Sequence, residues 1–370
     1  MSHRTRLAIA GNFARAACWL AVAATLPCFA QLAQTDQPAA NSQSTVQTPA
    51  GDLRLESGDP RENLQALSVR ASSLEALQPI PGGAAESSGF IRELYQMQWR
   101  ANDPMDVYVI RPKGAVKPPV AIYLYGFPVD PDRFRNDAFC KLVTKGGVAA
   151  IGFVPALTAE RYHSVPMKTW FVSDLHDSIV KTVHDVQMVV DYAQSRKDLD
   201  GSRVGIFGQG AGATIAGLAA MVDPRIQAID LLDPWGDWPE WVAKSKLIPE
   251  DERASYLNPA YLKPLEPLDP LQWLKKLAGR PLKLDDALYE TNTPAEAKAK
   301  IETAMPANAL VVRYRSRTEF EANALSDGKL VDWIQAQLTD KTTEPKTNAG
   351  NARAQNGASF AGAVPIANSH

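Results

Sequence analysis

Val204-Gly205-Ile206-Phe207-Gly208-Gln209-Gly210-Ala211-Gly212-Ala213-Thr214-Ile215 is the stretch that decides the fold. Val204 to Phe207 is β-branched and aromatic, the composition of a buried strand. Three glycines at alternate positions then mark a tight turn. Ala213 to Met221 follows as a helix built largely from small residues. A strand that feeds straight into a helix through a glycine turn is the repeating unit of a parallel α/β sheet.

The neighbouring segments keep that rhythm. Pro119 to Leu124 is a nearly continuous apolar run, as expected of a strand covered on both faces. A helix pattern over Asp132 to Lys145 leads to a strand at Val148 to Phe153. Leu175, Ile179, Val183, Val186 and Val190 repeat at helical spacing from Leu175 to Gln194. Downstream, the pattern predicts strands at Ile226 to Leu232, Leu282 to Leu284 and Ala309 to Tyr314, with helices at Ala295 to Ala304 and Leu325 to Leu338. Upstream, Glu93 to Arg100 and Met105 to Arg111 read as paired strands around Asn102-Asp103-Pro104. The expected class is α/β, with a mainly parallel central sheet flanked by helices. Residues 233–276 break the rhythm with Pro and with Trp235, Trp238, Trp241 and Trp273, and read as a lid-like insertion.

At this point the chain resembles the α/β-hydrolase superfamily, whose nucleophile elbow is G-x-S-x-G between a strand and a helix. Tyr123-Leu124-Tyr125-Gly126-Phe127 stands where such enzymes often carry His-Gly before the oxyanion loop. Asp223-Pro224-Arg225-Ile226 resembles the run into the next strand in dienelactone-hydrolase-like and prolyl-peptidase-like members. The resemblance implies a catalytic triad, and places its positions at Gly210, Glu290 and Glu319. Gly210 has no side chain to attack a carbonyl, and Ser316-Arg317-Thr318-Glu319-Phe320 has no imidazole. After His184 the only histidine is His370. The acyl-transfer route is therefore not expected to operate. The resemblance also implies oxyanion donors on the backbone, here Phe127 and Ala211, which survive loss of a nucleophile. With Gly210 and Trp235 these form the expected ligand site for a small acyl or carboxylate compound, or for a protein partner.

Other readings compete. An active esterase or peptidase-type hydrolase needs a substitute nucleophile (Ser164, Ser173 or Cys140) and a base (His163, His176 or His184). A structural envelope protein needs neither. Glycine-rich turns also bind dinucleotides, but Gly208 to Gly212 lacks the G-x-G-x-x-G spacing and a P-loop lysine. His176 and His184 lie about 12 Å apart along one helix, too far for one metal. No metal or cofactor is expected. Trp235, Trp238 and Trp241, spaced by three, read as one face of a short helix, either packed on the sheet or also lining a pocket.

The 370 residues carry 39 Lys and Arg against 41 Asp and Glu, a balance that argues against a nucleic-acid binder. Residues 1–30 read as a signal peptide: Arg4 and Arg6, an apolar stretch, then Cys28-Phe29-Ala30 with small residues where a signal peptidase needs them. Asn12 and Arg15 dilute the apolar run, so no stable membrane anchor is expected. Cleavage after Ala30 removes three arginines and no acidic residue, taking the net charge from −2 to −5. It leaves Cys140 as the one cysteine, with no internal disulfide possible. The expected location is the periplasm or the extracellular medium. Residues 31–88 read as a disordered spacer and lead-in, 89–338 as the folded domain, and 339–370 as a disordered tail.

Overall fold

The computed structural model describes residues 78–99, 103–125, 131–156 and 175–339. Nine strands form one sheet in the order β1-β2-β3-β5-β4-β6-β7-β8-β9. They are β1 (Ile80–Glu86), β2 (Phe90–Met97), β3 (Met105–Pro112), β4 (Pro119–Tyr125), β5 (Ala149–Phe153), β6 (Asp200–Gln209), β7 (Ile226–Leu232), β8 (Leu282–Ala287) and β9 (Leu310–Tyr314). β1 to β3 form an antiparallel meander that joins β5 antiparallel. From β5 and β4 through to β9 every neighbouring pair is parallel.

The parallel strands are linked by helices: α1 (Asp137–Thr144), α2 (Leu175–Ser195), α3 (Ala211–Val222), α8 (Ala295–Ala304) and, after β9, α9 (Arg317–Phe320) and α10 (Lys329–Thr339). The insertion between β7 and β8 holds the short helices α4 (Trp238–Lys244), α5 (Arg253–Tyr256), α6 (Pro259–Leu265) and α7 (Pro270–Trp273). Every residue of β4 and β5 is buried, because helices cover both faces. One core joins α2, α3 and the insertion to the face carrying Ile122, Ile206, Ile229 and Leu284. The other joins α1 and α10 to the face carrying Tyr123, Phe207, Ala228 and Leu232.

Besides shifts of a few residues at strand ends, such as β6 beginning at Asp200 and β2 at Phe90, two departures from the sequence pattern stand out. β1 is a strand that the pattern did not mark: all seven of its residues are exposed, so no alternation betrays it. β8 runs three residues further than expected, through Asp285, Asp286 and Ala287, and buries Lys283 and both aspartates. Residues 1–77 and 340–370, which carry the expected leader, most of the spacer and nearly all of the tail, lie outside the described residues, as do Phe127, His163, Ser164 and Ser173.

Candidate functional site

The turn after β6 stands at the carboxyl edge of the sheet, between the ends of β4 and β7. Gly210 leaves the strand at φ 59° and ψ −124°, and α3 begins at Ala211. Gly210 donates its N–H to the Leu232 carbonyl at 2.9 Å, and its own carbonyl accepts from Ala213 at 3.0 Å and Thr214 at 3.2 Å. A residue with a side chain at such angles is strained by about 1–3 kcal/mol; glycine adopts them freely. The flanking glycines answer a different demand. A Cβ on Gly208 would stand 2.3 Å from the Gly212 carbonyl oxygen, and one on Gly212 would stand 2.6 Å from that of Leu124. These are backbone obstacles that no rotamer relieves. The nearest neighbour of a Cβ on Gly210 would instead be Nε1 of Trp235, at 3.3 Å.

Gly210 brings no capping side chain to α3. The amino end of that helix therefore presents Ala211 N–H with the positive end of the helix dipole. Trp235 walls the same turn. Thr214 Oγ1 donates to the Trp235 carbonyl at 2.7 Å, and the indole stacks on Trp241 with ring centroids 4.8 Å apart. Trp238 meets Trp241 edge-on at 5.9 Å. The three are not one helical face: α4 starts at Trp238, and Trp235 lies in the turn before it. All three are buried, so they pack as core while the Trp235 edge also borders the turn at Gly210.

Glu290 and Glu319 do not meet each other through any hydrogen bond of their carboxylates. Glu290 folds back on its own loop, accepting from Thr291 N–H at 2.8 Å. Glu319 accepts from Arg315 N–H at 2.7 Å while its own N–H bonds Ser316 Oγ, a reciprocal cap at the start of α9. Among the substitute candidates, Cys140 is fully buried, its thiol donates to the Phe134 carbonyl, and burial pushes its pKa up, the opposite of an activated thiolate. His176 Nδ1 lies 2.9 Å from Asp177 Oδ1, and His184 is buried within α2. Among the described residues no group of three or more His, Cys, Asp or Glu is arranged to hold a metal.

Sequence reasoning missed the charged cluster beside the turn at Gly210. Asp233, immediately after β7, sits at φ 52° with its Oδ1 accepting from Ala287 N–H at 3.2 Å and from Lys298 Nζ at 2.6 Å. Lys298 also donates to the Ala287 carbonyl and lies 3.4 Å from Asp286. Burial pushes Asp233 up to about 7, although Lys298 pulls the other way; Asp286 is raised for the same reason. On the opposite face of the sheet, Asp230, Lys283 and Asp285 form a second buried set, with Lys283 Nζ 2.7 Å from Asp285 and Tyr314 donating to Asp285 at 3.0 Å. Burial drives Asp230 well above the usual carboxylate range. The only signal in the sequence was the Leu-Lys-Leu-Asp-Asp-Ala run of β8.

No protein-family model matches the sequence, and no curated protein matches it. Solved structures do. A 2,6-dihydroxy-pseudo-oxynicotine hydrolase is 19% identical over 67% of this chain and 68% of its own, with a TM-score of 0.50. An acetyl xylan esterase from Paenibacillus sp. R4 is 16% identical over 69% of this chain and 86% of its own, at 0.51. Acetyl xylan esterase 1 from Thermoanaerobacterium sp. JW/SL YS485 is 16% identical over 77% of this chain and 99% of its own, at 0.51. What the chain shares with them is its fold, a mainly parallel sheet flanked by helices, that of the α/β hydrolases.

Proposed function

We propose that this α/β-hydrolase-fold chain is a non-acyl-transferring binder of a small acyl or carboxylate compound, held at the elbow. The observation that carries the reading is Gly210 at φ 59° and ψ −124°: the elbow's backbone is present without a side chain to act from it. What remains there is a donor site. Ala211 N–H, at the amino end of α3, and the indole edge of Trp235 border the space a nucleophile's side chain would fill. A charge-assisted hydrogen bond contributes about 1.5–3 kcal/mol. Two such bonds to a small anion correspond to a Kd of about 1 mM, and one alone to about 10 mM or weaker.

Two measurements test this. Titration calorimetry with acetate, propionate and butyrate should show binding that Ala211→Pro abolishes, since proline is tolerated at the first helical position yet has no N–H. Absence of heat across the panel sinks the reading. Fluorophosphonate treatment of the purified protein should leave every serine unmodified; an adduct located by mass spectrometry would instead establish an activated nucleophile. We further propose that the protein acts outside the cytoplasm after cleavage at Ala30. Terminal sequencing of the processed chain should begin at Gln31, and recovery of the intact Met1 end alone would exclude export by this route.

A further inference from the structure

Beside the turn at Gly210, two buried carboxylates share one buried ammonium. Asp233, Pro234, Leu284, Asp286, Lys298 and Ile301 line a cavity of about 10 Å³, no larger than a single water. The pocket sits at the root of the insertion, and that root is conformationally strained. Asp233 and Asp237 both have left-handed φ values, 52° and 53°, which residues with side chains hold only when their surroundings oblige them to. Both are fastened to one helix: Lys298 of α8 holds Asp233, and Lys300 of α8 bonds Asp237 at 2.5 Å. Between them lie Pro234, Trp235 and Gly236, so the fastening also sets the indole against Gly210.

We propose that Asp233, Asp286 and Lys298 form a proton-operated latch, which holds the root of the insertion and Trp235 against the elbow when the trio carries a proton and loosens them when it does not. With a proton on Asp233, the remaining carboxylate and the ammonium cancel. Without it, two carboxylates oppose one ammonium, and the excess charge sits on side chains nine-tenths or more buried, beside space for at most about one water. The titration of Asp233 near pH 7 places this change in the neutral range. The charged and titratable groups that face Asp233 are Lys298 from α8, Asp286 from β8 and Tyr289 from the loop after β8. Glu302 and Arg313 act on Asp286 from α8 and β9. The adjoining turn brings Gly210, Ala211 and Thr214, none of which titrates. Because Asp233 is favoured protonated in the fold, the latch contributes its full stabilisation at acid pH and loses it as pH rises through about 7.

The latch stands independently of whether the elbow binds an anion, so its test uses the full chain without ligand. Tryptophan emission and amide exchange over residues 233–245 are followed from pH 5 to 9. The expected result is a red shift and a loss of protection of at least about tenfold, centred near pH 7. Asp286→Asn removes the like charge and should move the midpoint down by about 1 pH unit. Asp233→Asn should abolish the transition and leave the segment protected throughout; if that variant does not fold, the Asp286→Asn shift decides alone. A flat profile from pH 5 to 9, or a midpoint that Asp286→Asn leaves in place, overturns the proposal. In the second case the transition would belong to a group remote from the trio.

Discussion

Replacing Gly210 by alanine probes the elbow directly. An alanine forced to φ 59° and ψ −124° carries strain of about 1–3 kcal/mol. Its new Cβ would also press on Trp235 Nε1 at 3.3 Å, which an indole edge accommodates by shifting a few tenths of an ångström. Against this, alanine narrows the unfolded ensemble and returns about 0.4–1 kcal/mol. The expected net loss is about 1–2 kcal/mol. For a domain of this size, each kcal/mol moves Tm by about 2–4 °C, so a fall of roughly 2–8 °C is expected by calorimetry. Gly212→Ala is the control, because its Cβ meets the Leu124 carbonyl at 2.6 Å, and it should be the more damaging of the two. A Gly210→Ala protein as stable as the parent, or a Gly212→Ala protein no worse than Gly210→Ala, would refute the division between a glycine required by conformation and glycines required by packing.

Two further outcomes follow from the packing and the buried charges. Trp273 is fully buried, stands over Gly217 of α3 and donates to the Leu268 carbonyl at 3.1 Å. Trp273→Ala should cost about 3–5 kcal/mol in urea unfolding, and a loss below about 1 kcal/mol would show that the insertion does not depend on this anchor. Asp230 is favoured protonated in the fold, so its contribution is complete below the ordinary carboxylate range and lost as pH rises. Asp230→Asn should therefore gain stability relative to the parent between pH 5 and pH 8, and parallel pH profiles for the two proteins would contradict this.

Most of the parallel core was readable because β4, β5, β7 and β9 are largely apolar runs between turn signals. Ile226 to Leu232 and Ala295 to Ala304 fall where the pattern placed them. β1 was not readable: Ile-Pro-Gly-Gly-Ala-Ala-Glu has no buried face, and pairing with β2 alone makes it a strand. β8 was half readable, because Lys283, Asp285 and Asp286 look like solvated residues until Asp230, Tyr314 and Lys298 are brought against them. The strand-to-helix turn at Gly210 could be located from three alternate glycines, yet its surroundings could not. Glu290 and Glu319 fell at plausible positions in sequence, but local backbone N–H groups hold both carboxylates. Asp233 and Lys298 are far apart along the chain, and only the register of β7 on β8 and the docking of α8 unite them.

The division among the three elbow glycines has an evolutionary consequence. Gly208 and Gly212 are excluded from change by backbone contacts that belong to folding rather than chemistry, so purifying selection for a stable sheet is enough to preserve them. Gly210 faces an indole edge instead of a backbone wall, and glycine and serine codons can differ by one base. A lineage with this architecture would keep the shape of the turn whatever residue stood at its centre. A change at Gly210 would be a shallow step, absorbed at the turn itself, whereas a change at Gly208 or Gly212 would first have to displace backbone.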